Sequence, residues 1–181
     1  LLLTNLSRAS ELINNFNQVA VDQAVDETRH IELSHYIQEI LTSLEPKWKA
    51  SRVNVDFSPG NPIEITTYPG AIAQVITNLI INSLIHGFDE GKKSGIITIA
   101  VEKHQGLAHI IYTDNGNGMP EEVLDKIFDP FFTTRRGTGG TGLGMHIVYN
   151  LVTQKLEGSI KADSVQGEGV NFDIQFPVIF Q

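Results

Sequence analysis

Gln74-Val75-Ile76-Thr77-Asn78-Leu79-Ile80-Ile81-Asn82-Ser83-Leu84-Ile85-His86 is the stretch on which the fold turns. It is too continuously apolar for a surface helix, yet Gln74, Asn78, Asn82 and His86 recur at every fourth position. Four residues advance about 400°, so these side chains form one polar stripe drifting about 40° per step across an apolar helix. The helix is predicted to run from Gly70 to about Phe88 and to be buried. An amide buried without a partner costs roughly 1–3 kcal/mol, so each Asn must meet something polar. For a single Asn the backbone of a neighbouring element suffices. For two Asn and a His on one stripe, a ligand or a hard cation competes with that reading. Mg²⁺ suits such a site, because it takes few protein oxygens and keeps water and phosphate as its other ligands.

Downstream lie two glycine-rich segments. Asp114-Asn115-Gly116-Asn117-Gly118-Met119-Pro120 follows an apolar strand, so a carboxylate sits where strand meets loop. It reads either as a tight turn with an Asx motif or as a place where backbone and ligand approach closely. Gly137-Thr138-Gly139-Gly140-Thr141-Gly142-Leu143-Gly144 holds five glycines in eight residues and leads into a helix. Uncovered N–H groups at a helix start make an anion site, though the spacing matches neither a P-loop nor a Rossmann turn. Between them, Ile127-Phe128-Asp129-Pro130-Phe131-Phe132-Thr133-Thr134-Arg135-Arg136 carries three aromatics that are expected to cover a core edge or a ligand.

Toward the ends, Arg29 to Leu33 reads as a strand, and Ser34 as the N-cap of a helix stopped by Pro46. Val53 to Phe57 alternates as a half-buried strand, and Ile63 to Thr67 forms another after the turn Ser58-Pro59-Gly60-Asn61-Pro62. Ile96 to Lys103 and Ala108 to Asp114 make a hairpin closed near Gln105-Gly106. A helix from about Gly142 to Leu156 precedes strands at Ser159 to Asp163 and Val170 to Phe176. The pattern predicts an α+β two-layer sandwich, three helices on a mixed sheet. At the start, Leu2, Leu6, Ala9, Leu12, Ile13, Phe16 and Val19 stripe one face of a helix that stands outside the sandwich and needs a partner.

Of the 181 residues, 41% are hydrophobic and 19% charged, which allows an ordinary core. Thirteen basic against 21 acidic residues give a net charge of −8, which argues against nucleic acid as the main partner. A nucleotide is not excluded, since Mg²⁺ and backbone N–H groups can hold phosphates in one local pocket. With no cysteine there is no disulfide or thiolate metal site. No apolar run is read as approaching the eighteen or so residues of a membrane span, so a soluble chain is expected.

Asn-x-x-x-Asn on a helix, Asp-x-Gly-x-Gly after a strand, the Phe-rich stretch and Gly-x-Gly-x-Gly before a helix, in that order, resemble the N, G1, F and G2 boxes of histidine kinase catalytic domains. These share a superfamily with gyrase, mismatch-repair and heat-shock chaperone ATPases. The resemblance implies the Bergerat fold over 29–181, with 1–26 as the second helix and linker of a dimerisation domain. It implies ATP and Mg²⁺ as cofactors, with Asn82 on the metal and Asn78 beside it. His86 would lie near the phosphates and Asp114 would accept from the adenine amino group. Gly116, Gly118, Met119, Phe131, Thr141, Gly142, Leu143 and Gly144 would complete the nucleotide site. Met119 to Gly140 would be an ATP lid, with Arg135 and Arg136 candidates for the γ-phosphate.

Hydrolysing members carry Glu where Asn78 stands, and an amide cannot take up a proton. Phosphoryl transfer is therefore expected, with Asn78, His86 and Arg135 as catalytic candidates. None of His30, His35, His86, His104, His109 and His146 has the acidic residue and Pro that follow an acceptor histidine, so the acceptor helix is expected elsewhere. The implied partners are the protein's own phosphoacceptor helices, a response-regulator receiver domain and a second copy in a homodimer. A cytoplasmic location is expected, with membrane anchoring of the parent left open. Tyr68 stands where the family has an acidic residue, and Val170 where it has Thr. A related serine kinase and a nucleotide-sensing module without transfer are the competing readings.

Overall fold

The computed structural model describes residues 27–134 and 142–178. The predicted lead-in helix within residues 1–26, and Arg135, Arg136 and Thr141, lie outside the described residues. In chain order come β1 (Arg29–Glu32), α1 (Leu33–Lys49), β2 (Val53–Ser58), β3 (Glu64–Thr67) and α2 (Pro69–Asn82). Next are β4 (Gly95–His104), β5 (Leu107–Asp114), the single turn α3 (Glu121–Leu124), α4 (Gly144–Asn150), β6 (Ser159–Val165) and β7 (Gly169–Pro177). α2 runs on through a wider π-type turn, Ser83–Gly87, and α4 through Leu151–Lys155.

Strands β2-β4-β5-β7-β6 form one mixed sheet in which β2 and β4 are parallel and the other pairs antiparallel. A parallel pair needs a crossover, and β3 with α2 supplies it. β3 does not join this sheet; it pairs antiparallel with β1. The predicted hairpin closes at Gln105 and Gly106, both at positive φ (51° and 82°), as a two-residue turn matched to strand twist requires.

Alternation decides which face is covered. Ile97, Ile99 and Val101 of β4, Ala108, Ile110 and Tyr112 of β5, and Phe172, Ile174 and Phe176 of β7 are buried on one side. Facing them are Ile37, Ile40 and Leu44 of α1, Ile72, Ile76 and Leu79 of α2, and Val148 and Val152 of α4 and its extension. Removing each such side chain from water contributes roughly 1.5–3 kcal/mol, which welds the two layers together. This is the expected α+β sandwich of three helices on a mixed, mainly antiparallel sheet.

Several local expectations change. The N-cap of α1 is Glu32, whose carboxylate accepts from Ser34 N (3.1 Å) and His35 N (2.7 Å), while the Ser34 hydroxyl donates to the Pro59 carbonyl instead. Pro46 does not stop α1, which continues to Lys49. It falls in the last turn on the exposed side, where one helical bond is lost, and Leu44 and Trp48 still hold that turn to the core. Tyr68 makes no side-chain cap on α2, and its ring lies 4.5 Å beneath Lys155 Nζ. The last helix begins at Gly144 rather than Gly142. Finally, Pro69–Gly87 is 19 residues long with a mean hydropathy of 1.2, which by length and composition is enough to cross a bilayer and corrects the expectation that no run reaches that length. In this fold it is the core helix, more than half of it buried inside the protein.

Candidate functional site

α2 lies on the sheet with its polar stripe turned toward the end of β5 and the start of α4. Between them is a cavity of about 490 Å³, lined by Asn78, Asn82, His86, Asp114, Gly118, Met119, Gly142 and Gly144. Leu79, Ile127, Met145, Val170 and Phe172 give it an apolar wall, and Phe132, Thr133 and Thr134 approach from the aromatic segment. Residues far apart in the chain, from Asn78 to Phe172, therefore share one space, and a bond from Asn78 Nδ2 to the Gly144 carbonyl at 3.4 Å spans 66 positions of that separation.

Asn82 lies beside the same glycine: a Cβ built on Gly144 would stand 3.8 Å from its Nδ2 and 3.9 Å from its Oδ1. Among the described residues the Asn82 side chain makes no hydrogen bond, so an amide half-buried in a cavity wall is left for something that enters. His86 is exposed at the rim, and its backbone carbonyl accepts from Asn117 Nδ2 at 3.1 Å. Asn117 also bonds Asp89 and Lys93, which ties the loop after β5 to the end of α2.

Asp114 is only 3% exposed. Its Oδ1 accepts from Gly116 N at 2.9 Å and its Oδ2 from the Ser83 hydroxyl at 2.5 Å. Ser83 accepts in turn from the Tyr112 hydroxyl at 2.8 Å. Burial above all pushes the Tyr112 phenol well above its ordinary range; the neighbouring Asp114 charge adds to this, and the bond to Ser83 offsets part of it.

The glycines of the first loop approach their own chain. A Cβ on Gly116 would lie 2.7 Å from the Gly87 backbone, and one on Gly118 would lie 2.1 Å from the Val165 carbonyl. Gly142 has φ +67°, and a side chain there would meet the backbone of Phe131 and Phe132 at 2.5–2.8 Å. The base of the Phe-rich segment and the start of α4 thus close on each other only through glycine.

Of the predicted positions, Asn78, Asn82, His86, Asp114, Gly118, Met119, Gly142 and Gly144 line the cavity. Gly116 is the buried turn beneath Asp114. Leu143 occupies the N-cap position of α4, outside the lining. Phe131 is 67% exposed, and Phe132 faces the cavity in its place. Arg135 and Thr141 are not among the described residues. Ser83 was not singled out from the sequence, although a signal existed: it falls on the apolar stripe Ile72, Ile76, Leu79 that faces the sheet, where a hydroxyl demands a partner. Val170, marked in the sequence as standing where the family has Thr, lies opposite Asp114; Phe172 carries no local signal, and ladder register alone sets it opposite Tyr112.

Residues 67–179 match the family described as histidine kinase-, DNA gyrase B- and HSP90-like ATPase. The chain belongs to that ATPase family. Among its relatives, the sensor histidine kinase ZraS of Salmonella typhi is 32% identical over 150 residues, covering 82% of this chain and 31% of that protein. Sporulation kinase A of Bacillus subtilis is 28% identical over 178 residues, covering 98% of this chain and 28% of the kinase. The chain therefore spans just under a third of the length of these curated relatives. The solved catalytic domain of the histidine kinase ThkA superposes with a TM-score of 0.73 at 27% identity, covering 84% of this chain and 97% of that domain. The fold is that of a histidine kinase catalytic domain.

Proposed function

We propose that the chain is the ATP-binding catalytic domain of a two-component sensor histidine kinase, which passes the γ-phosphate of ATP to a histidine on the protein's own dimerisation helices for relay to a response-regulator receiver domain. The observation that carries this reading is the convergence of Asn82, Asp114 and Gly144 on one cavity of about 490 Å³. Met119, Val170 and Phe172 offer an apolar slot for a purine, and the Asp114 carboxylate stands at its inner end to accept from an exocyclic amino group.

The residues present fit Mg²⁺. No group of three or more His, Cys, Asp or Glu among the described residues could cage a metal, whereas one uncommitted amide oxygen suits a cation that keeps phosphate and water as its other ligands. Asn82 would hold it, and the bound ion would supply charge neutralisation on the phosphates. Asn78 stays a neutral amide tethered to Gly144, so no base is present there to activate water, which favours transfer over hydrolysis. The phosphates would then meet the start of α4, with His86 at the rim and Arg135 a candidate for the γ-phosphate. The parent protein would act as a homodimer with this domain in the cytoplasm.

Titration calorimetry of Mg·ATP against wild type, Asn82→Ala and Asp114→Asn tests the site. Each substitution is expected to lower affinity about 100-fold or more, as loss of a buried charge-assisted partner does, without moving the melting temperature of Asn82→Ala. Unchanged affinity in Asn82→Ala would remove the metal assignment. With the full-length protein, acid-labile phosphohistidine is expected; acid-stable phosphoserine, or no covalent product, would replace the histidine kinase reading.

A further inference from the structure

Asp114 is the end of a chain of side-chain hydrogen bonds, Tyr112 Oη to Ser83 Oγ to Asp114 Oδ2. The directions follow from chemistry. A carboxylate only accepts, so Ser83 gives its single proton to Asp114 and its lone pair receives the phenol proton. All three side chains are buried, Tyr112 at 0%, Ser83 at 5% and Asp114 at 3% exposure, so the bonds between them lie in a low-dielectric setting where each is strengthened. Gly116 N holds the other carboxylate oxygen, and both ends of the carboxyl group are anchored. Ser83 and Asp114 line the cavity; Tyr112 stands behind them.

We propose that Ser83 and Tyr112 are positioning residues that fix the plane of the Asp114 carboxylate, so that its remaining lone pairs face the cavity, and that this chain sets a preference for 6-amino over 6-oxo purine nucleotides. The inference rests on the reading of Asp114 as the purine-edge acceptor. An anchored carboxylate rewards a donor at the purine 6-position and opposes a carbonyl lone pair there, and a buried polar mismatch is discriminated strongly. A carboxyl group free to rotate discriminates less. Two elements have to meet for this: Ser83 comes from the wide turn after α2, and Tyr112 and Asp114 from β5.

Equilibrium binding of Mg·ATP and Mg·ITP, the same nucleotide with a 6-oxo group, is the test, with thermal melts establishing that each variant is folded. Wild type is expected to prefer ATP. Tyr112→Phe should narrow the ATP:ITP ratio about fivefold and Ser83→Ala about tenfold or more, the range of one buried hydrogen bond, mainly through weaker ATP binding. The double variant should narrow it no further than Ser83→Ala, because the phenol acts only through Ser83. A merely structural role would weaken both nucleotides equally and leave the ratio at its wild-type value. An unchanged ratio in folded Ser83→Ala and Tyr112→Phe, with Asp114→Asn still collapsing it, overturns the relay and spares the Asp114 assignment. A ratio that Asp114→Asn also leaves unchanged overturns both. If Ser83→Ala does not fold, Tyr112→Phe decides, since it removes one oxygen and keeps the ring packed.

Discussion

Glu32 binds two parts of the fold with one carboxylate. Besides capping α1 through Ser34 N and His35 N, it accepts from Ile63 N at 3.0 Å, where the chain enters β3. Burial opposes its charge, but the three backbone donors and His35 prevail and hold the carboxyl below its usual value of 4.5. Folding lowers this pKa, so the contribution is complete above 4.5 and is lost as pH falls through the lower folded value. Glu32→Ala should therefore lose about 1–2 kcal/mol of unfolding free energy at neutral pH, as cap deletions do, and urea titrations at falling pH should show the difference shrinking. Tyr112 has the opposite sign. Folding raises its pKa above 10.0, so its contribution is complete below 10.0 and lost at more alkaline pH. Tyr112→Phe should flatten the alkaline limb of a stability-against-pH curve and leave the acid limb alone.

At the scale of the element, α2 serves core and cavity with different faces. Ile72, Ile76 and Leu79 lie at 1% exposure or less against the sheet, while Asn78 and Asn82 face α4. Ile76→Ala should cost about 2–5 kcal/mol, the range for a buried isoleucine, and, since Ile76 does not line the cavity, should lower nucleotide affinity only as far as the fold is lost. Asn82→Ala should do the reverse, removing binding with the denaturation midpoint in place. Measuring both variants by denaturant unfolding and calorimetry separates the two faces. The wide turn Ser83–Gly87 belongs to this scale as well. Phe88 N bonds Ser83 O at 2.9 Å, five residues back, and the turn carries Gly87 against Gly116 beneath the carboxylate loop.

For the whole molecule, the reading predicts where phosphate goes. Supplied with γ-labelled Mg·ATP and the dimerisation helices of its own protein as a separate chain, the domain should label those helices with an acid-labile phosphate and stay unlabelled on His30, His35, His86, His104, His109 and His146. Label on the domain's own histidines would overturn that prediction. The net charge of −8 leaves phosphate binding to local groups in the cavity rather than to a broad positive surface.

Helix α2 with its four-residue polar stripe, the hairpin at Gln105-Gly106 and the carboxylate-glycine loop were legible in the residues themselves. Each depends on neighbours within a turn or a strand repeat, and periodicity records those. The order of the four motifs carried the family resemblance for the same reason. Only the tertiary structure decided that β3 leaves β2 for β1, that Phe132 rather than Phe131 faces the cavity, and that Ser83 joins Tyr112 to Asp114. Those bonds link residues 29 and 31 positions apart, and the 6-position of a purine would be read where they meet. Ladder register and the crossover through α2 set such meetings, and no local pattern contains them.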